Sequence, residues 1–484
     1  MSFLLYAAYF LTTSALLCYS IQGLVLLFLH ATGCRRLREE NEDLAERAAS
    51  LTEWPIVTTQ LPLFNEPNVA ERILRAAAQM EYPAGRHEIQ VLDDSTDETC
   101  AIVDRVVAQL KLGGVSIHVV RRSDRTGFKA GALREGMRTA TGSLFAIFDG
   151  DFVPPSDFLM RTVPVLAQKP GVGFVQTRWE HLNALDSLLT AAQATGIDTH
   201  FIVEQSARAS AGAFMNFNGT CGVWRRAAIE AAGGWSDDTL TEDLDLSYRA
   251  HLAGWTAYYL PELAVPGELP ASMAAYRRQQ FRWAKGSIQT AKKLLPTVWA
   301  SPISRLRKIG ATLHLTHFCV HLLLLVHCLL SVPILLWANE RPPALLYSLF
   351  SVLGGMMLLA PAAMYLTGWW TLHREDRGRL ATIPAIMLLG GGLCLSNGRA
   401  VIEALMGRRS EFNRTPKLGE TGGQTRAPRS LMPHCQLALA GYAAFAMLLF
   451  LKNGGWFMGP FLLVYVAGLS WMGIQELLEQ RDDG

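Results

Sequence analysis

Residues 143–155 read SLFAIFDGDFVPP, a short apolar run that ends in two carboxylates around a glycine. An apolar stretch of this length, bounded by turn residues, reads as a buried strand. Side chains two apart in an extended chain share a side, so Asp149 and Asp151 can point the same way from its end. Asp-Gly is also an ordinary turn pair, and the pattern gains meaning because it recurs. Residues 87–98, HEIQVLDDSTDE, again set an apolar strand before two carboxylates, Asp93 and Asp94, and a cluster suited to capping a helix. IVTTQL (56–61) runs into Pro62, Leu63, Phe64, Asn65 and Glu66, and a helical pattern follows. VSIHVVRR (115–122) is a further strand and KAGALREGMRTA (129–140) a further helix. Strands alternating with helices predict an α/β domain whose sheet is mostly parallel and covered by helices. Ligands of such sheets bind outside the carboxyl ends of the strands, where these acidic clusters fall.

Outside this domain the composition changes. The chain of 484 residues is half hydrophobic with a net charge of +2, which argues against a nucleic-acid partner. Residues 3–30 carry no Asp, Glu, Lys or Arg, enough apolar length to cross a bilayer. Arg35, Arg36 and Arg38 follow, so the downstream side is expected in the cytoplasm and the N-terminus outside. Further spans are expected near 311–337, 345–370, 434–452 and 455–475. The segment 382–405 has basic loops on both flanks (373–379 and 407–417), so an interfacial or re-entrant helix is expected there. The expected organisation is an anchor over 1–34, a cytoplasmic domain over 50–300 and a membrane region over 301–484. Eight scattered Cys without CxxC spacing read as reduced thiols.

Three further stretches carry chemistry. RTGFKAGAL (125–133) sets Gly127, Lys129 and Gly131 at a helix start, where free N–H groups and a lysine can meet phosphate. In LTEDLDLSYRAHLAGW (240–255), Thr241 can cap a helix and Leu244, Leu246 and Leu252 can pack beneath it. Glu242 and Asp243 then occupy the first turn, where the helix dipole favours carboxylates. Acidic first turns are common in any helix; the functional alternative is that one of the two is a general base for a hydroxyl nucleophile. YRRQQFRWAKG (276–286) mixes cations with aromatics and fits nucleic acid, an anionic membrane or the wall of a pocket.

Taken together these pieces resemble the processive family 2 glycosyltransferases, the inverting enzymes that include cellulose, chitin and hyaluronan synthases. The matching residues are Asp94 in VLDDSTD, Asp149-Gly150-Asp151, Thr241-Glu242-Asp243, and Gln279 to Trp283, which fits QxxRW. Order and spacing agree across roughly residues 55–290. VQTRWEHLN (175–183), NFNGTCGVWRRAAIEAAGGW (216–235) and YRRQQFRW are similar to the cellulose-synthase-like A group, the glucomannan synthases, and their bacterial relatives. SEFNRTPKLGE (410–420) resembles the FxVTxK gating loop: Phe412, Thr415 and Lys417 match, and Arg414 replaces the Val.

The resemblance implies a GT-A, Rossmann-like domain inserted between transmembrane helices, with a gating-like loop over 407–420. Pro62, Asn65, Glu66, Asp94, Lys129 and Asp149 would bind the donor nucleotide, and Asp151 would hold Mg²⁺ or Mn²⁺. Asp243, beside Glu242, would deprotonate the acceptor hydroxyl. Gln279, Arg282 and Trp283 would hold the donor diphosphate and the acceptor's terminal sugar, while Phe217, Gly219 and Thr220 would line the acceptor path. Arg277, Arg278 and Lys285 are left to touch the membrane surface. The implied partners are a nucleotide sugar, UDP-glucose or GDP-mannose, a growing β-linked polysaccharide and a lipid bilayer; the compact length of the chain points to a bacterial inner membrane. Accessory subunits are not implied either way. A single addition to a lipid, as in ceramide glucosyltransferases, is the alternative.

Overall fold

The structure, a computed structural model, describes residues 2–48, 51–337, 344–408, 430–452 and 459–482. The α/β half begins with β1 (Val57–Leu63), β2 (His87–Asp93), β3 (Ile117–Val120) and β4 (Leu144–Ile147). β5 (Val172–His181), β6 (Gly222–Arg225) and β7 (Thr256–Gly267) complete a sheet ordered β3-β2-β1-β4-β6-β5-β7. The first four strands are parallel, as the alternation with helices predicts. β6 runs antiparallel to both β4 and β5, and β7 is parallel to β5. The reversal into β6 is made at Gly219 (φ 84°) and Cys221 (φ 59°), two left-handed residues in close succession.

β4 explains the continuous apolar reading of residues 144–148. Leu144, Ala146 and Phe148 pack into one core and Phe145 and Ile147 into another, so both faces of the strand are covered. Each fully buried Phe contributes about 1.5–3 kcal/mol relative to exposure. The strand therefore holds Asp149–Asp151 at a fixed edge.

The long helix α1 (Ser2–Ala48) runs on past residue 34. α2 (Pro67–Ala78), α3 (Thr99–Leu112), α4 (Phe128–Thr139) and α5 (Phe158–Gln168) cover the parallel half. α6 (Leu188–Thr199) passes through a π-helical turn, His200–Gln205, into α7 (Ser206–Ser210). α8 (Arg226–Ala231) and α9 (Glu242–Leu252) precede α10 (Met273–Ala300), α11 (Arg305–Leu315), α12 (Cys319–Trp337) and α13 (Ala344–His373). α14 (Thr382–Gly392), α15 (Cys394–Leu405), α16 (Met432–Lys452) and α17 (Gly459–Asp482) close the described chain.

Among the described residues, Leu4–Ala48, Cys319–Leu336, Met432–Lys452 and Gly459–Arg481 are long and apolar enough to cross a membrane. α13 is thirty residues without a charged side chain other than the terminal His373. The segment 377–405 is a helix pair bent by 46°. The polar end of α1 lies against the sheet domain: Glu40 pairs with Lys169 at 2.6 Å, and Asn41 Oδ1 accepts from Tyr258 Oη at 2.7 Å. One helix thus joins the apolar helices to the sheet domain.

α10 is pinned by two helices further along the chain, α15 and α17, and this corrects the expectation for its cations. Arg277 is not left free but forms a forked pair with Glu476 of α17 at 2.6 and 2.9 Å. Glu479, one turn on, accepts from the N–H groups of Met273 and Ala274, filling the open first turn of α10. Lys285 is fully buried and donates to Glu403 of α15 at 2.8 Å. Arg278 is half-buried near the same α17 carboxylates, and burial lowers its pKa. Lys285→Met should leave Glu403 with Arg399 alone, at 2.8 Å, and cost about 2 kcal/mol, the scale of one hydrogen bond to a charged group. The check is the Tm in detergent; adding Glu403→Leu to the same chain should recover part of the loss.

Candidate active site

The carboxyl ends of β1, β2 and β4 open onto one cavity, closed on the far side by α9 and α10. One wall includes Pro62, Phe64, Asp94 and Arg125. The Arg125 guanidinium lies 3.3 Å over the Phe64 ring and 5.1 Å from that of Phe128, making a flat cationic face. Asp94 is held by Arg122 through both oxygens, Nε at 3.0 Å and Nη2 at 2.5 Å. Arg122 also donates to the carbonyls of Thr126 and Phe128, tying Asp94 to the start of α4. Sequence reading missed Arg122, whose only signal is a basic pair after a strand.

Asn65 and Glu66 do not line this cavity. Asn65 takes a positive φ of 51°, its N–H donates to Ser95 Oγ and its Oδ1 accepts from Thr96 N–H. Glu66 is buried behind Gly150, with its backbone N–H on Thr99 Oγ1. Both hold the loops after β1 and β2 in register.

Lys129 sits at the centre. Its Nζ lies 2.5 Å from Asp149 Oδ1, 2.9 Å from the Gly219 carbonyl and 3.9 Å from Glu242. Burial opposes its charge, but Asp149 and Glu242 outweigh that and raise its pKa. Asp151 is buried to 1 % exposure and faces the same cavity, while Arg72 binds its carbonyl and pairs with Glu268. No cluster of three or more metal-binding side chains exists among the described residues. One or two carboxylates without a closed cage suit Mg²⁺ or Mn²⁺ brought in with a diphosphate, which supplies the other oxygens. Asp149 and Asp151 therefore fit such an ion.

Opposite them, Glu242 and Asp243 form the first turn of α9. Thr241 occupies the position before it, but its hydroxyl meets Thr290 of α10 at 3.3 Å instead of capping α9. That approach needs Gly286, where a Cβ would lie 2.5 Å from the Thr241 methyl. Asp243 Oδ1 accepts from the Leu244 N–H. Burial, then the charge of Glu242, pushes the Asp243 carboxyl up to about 7, against the pull of Lys129 and Arg282. A carboxylate poised near neutrality inside a cleft is suited to accept a proton.

Gln279, Arg282 and Trp283 of α10 line the cavity, as does Gly219. Phe217 and Thr220 do not. Phe217 is fully buried against Phe174 and Trp224, and Thr220 Oγ1 accepts from the Asp149 N–H behind the site. Their neighbours Asn216 and Asn218 line the open space in their place. Phe412, Thr415 and Lys417 lie outside the described residues.

A second cavity continues from the first, sharing Trp179, Asn218, Thr241, Asp243, Gln279 and Trp283. It reaches Tyr365 of α13, Ile386 of α14 and His321 of α12, so it runs from the carboxylates into the membrane part. Asp243 stands where the two meet.

The family described as "Glycosyltransferase like family 2" matches residues 55–286. The chain is 44 % identical over 275 residues to a probable glucomannan 4-beta-mannosyltransferase 6 of Oryza sativa subsp. japonica, covering 55 % of this chain and 47 % of that protein. It therefore spans about half the length of that relative. It is 35 % identical over 457 residues to glucomannan 4-beta-mannosyltransferase 2 of Arabidopsis thaliana, covering 87 % of this chain and 81 % of that one. A mannosyltransferase of Pyrobaculum calidifontis, solved with GDP-Man and Mn²⁺, matches with a TM-score of 0.51 at 20 % identity. That match covers 80 % of this chain and 99 % of the other, a likeness of fold.

Proposed function

The chain belongs to the family 2 glycosyltransferases, in the group of the glucomannan 4-beta-mannosyltransferases, and from that premise we propose that it transfers mannose from GDP-mannose to the O4 hydroxyl of a β-linked chain and passes the product into the membrane. The observation that carries this reading is Asp243, raised towards neutral pH and standing where the donor cavity meets a cavity running among the membrane helices. A glycolipid made by single addition would leave the second cavity without a task.

The donor enters under α9 and α10, with its nucleoside against Phe64, Arg125 and Asp94 and its diphosphate towards Asp149 and Asp151. A divalent cation held there by Asp151 and Asp149 would offset the charge of the leaving diphosphate. Arg282 faces the same group from α10 and adds a fixed cation where negative charge grows. Asp243 takes the proton of the acceptor hydroxyl, and the acceptor's oxygen attacks C1 as the C1–O bond to the diphosphate breaks. One displacement inverts the anomeric carbon, giving a β-linkage from an α-linked donor. Trp283, shared by both cavities, offers a flat face for the terminal pyranose. The basic run after the first apolar stretch supports a cytoplasmic catalytic domain.

Gly219 gives this arrangement a sharp test. Its φ is +84°, and a Cβ there would sit 3.0 Å from Asp243 Oδ2. Gly219→Ala should displace the base and lower transfer at least about tenfold, since a shift near 1 Å can cost about a hundredfold. A stopped assay with labelled GDP-mannose reads the loss. The donor itself is tested by offering GDP-mannose, GDP-glucose and UDP-glucose in parallel: GDP-mannose should be used best, and exclusive use of UDP-glucose would overturn the mannosyl assignment.

A further inference from the structure

The π-helical turn between α6 and α7 carries His200, Glu204 and Gln205, none of which the reaction above uses. Such turns widen a helix by one residue and concentrate at functional sites. Here the widening brings three polar side chains of one turn towards Asn218. Glu204 Oε2 lies 3.4 Å from His200 Nδ1, and His200 Nε2 lies 3.1 Å from Asn218 Nδ2. Gln205 Nε2 donates to Asn218 Oδ1 at 2.7 Å and to the Asn216 carbonyl at 2.9 Å. The Asn218 N–H itself donates to Gln176 Oε1 at 2.8 Å.

These contacts fix one set of polarities. The Gln205 amide donates to the Asn218 oxygen, so the Asn218 NH₂ group faces His200. His200 Nε2 must then accept, which leaves its proton on Nδ1, towards the Glu204 carboxylate. The acid at one end thereby sets the tautomer of the ring and the flip state of the amide at the other. Asn218 keeps a second N–H and a second lone pair, and it lines both cavities beside Gly219 and Asp243. That is where an acceptor hydroxyl must rest while Asp243 takes its proton.

We propose that Asn218 hydrogen-bonds the acceptor's terminal sugar and that Glu204 and His200 are positioning residues that hold Asn218 in that orientation. The inference rests on the transfer reaction proposed above. An acceptor that is held loosely loses the contest with water, so the readout is the partition of GDP-mannose between hydrolysis and transfer to a β-1,4-manno-oligosaccharide by the purified full chain. Glu204→Leu and His200→Phe should each lower kcat for transfer about tenfold, the scale of one misdirected hydrogen bond. The KM for GDP-mannose should stay within about twofold, and the ratio of hydrolysis to transfer should rise. Glu204→Gln, whose amide oxygen still accepts from Nδ1, should restore most of the transfer. Should Glu204→Leu fail to fold, His200→Phe, which keeps the ring volume, carries the same expectation. Variants whose hydrolysis and transfer fall in step, or whose ratio equals that of the wild type, would overturn the inference. A wild-type chain that hydrolyses no donor and extends no acceptor would instead overturn the reaction on which it rests.

Discussion

Asp243→Asn should lower transfer by about 10²–10⁴-fold while the protein remains folded and still binds donor. The amide keeps the shape of the carboxylate and its contact with the Leu244 N–H, so only the capacity to take a proton is lost. A buried carboxyl with a pKa near 7 is held charged at a cost, so the folded chain keeps its proton to higher pH than the unfolded chain does. The stability contributed by the protonated form is lost as pH rises through 7, and Asp243→Asn should therefore equal or exceed the wild type in Tm at pH 8. The same group sets the acid side of the rate profile. In the wild type, kcat/KM should fall below about pH 7, where Asp243 becomes protonated, and level off above it. Glu242→Gln removes the negative neighbour that helps raise Asp243, so its acid limb should move to lower pH. Equal rates for Asp243→Asn and wild type would refute the assignment of the base.

Arg282→Ala should cost about 10²–10³-fold in kcat, the scale seen when one preorganised group facing a developing charge is removed. Arg282→Lys should recover little of this, because a guanidinium presents two parallel donors to phosphate oxygens and an ammonium does not. A second signature separates this loss from simple misfolding. Arg282 pulls the Asp243 carboxyl down, so its removal should shift the acid limb to higher pH, opposite to Glu242→Gln. A variant with normal kcat and an unshifted limb would place Arg282 outside the reacting centre.

The parallel half of the sheet was legible because each of its strands ends in a polar cluster and a helix start, a purely local signal. The antiparallel β6 was not, because the turn that reverses it depends on Cys221 adopting a left-handed conformation that nothing in its type announces. Motif residues mapped onto the cavity where a strand end or a helix start fixes them, as with Asp94, Asp149, Asp151 and Asp243. They missed it at Phe217 and Thr220, in an irregular segment where the side chain that reaches the cavity is that of Asn218. Lys285 and Arg277 were misread for another reason. Their partners Glu403 and Glu476 lie on helices far along the chain, and a cation beside an apolar run looks interfacial until the distant carboxylate is seen. Asn65 shows a third limit, since a polar residue in a motif can serve the loop and not the ligand.

The most direct test of the central claim is the fate of the label when the purified chain, in detergent or reconstituted in vesicles, is incubated with GDP-[¹⁴C]mannose and divalent cation. The account predicts a chloroform-insoluble product that grows with time and is degraded by an endo-β-1,4-mannanase. A labelled product that partitions wholly into chloroform and resists that enzyme would contradict it.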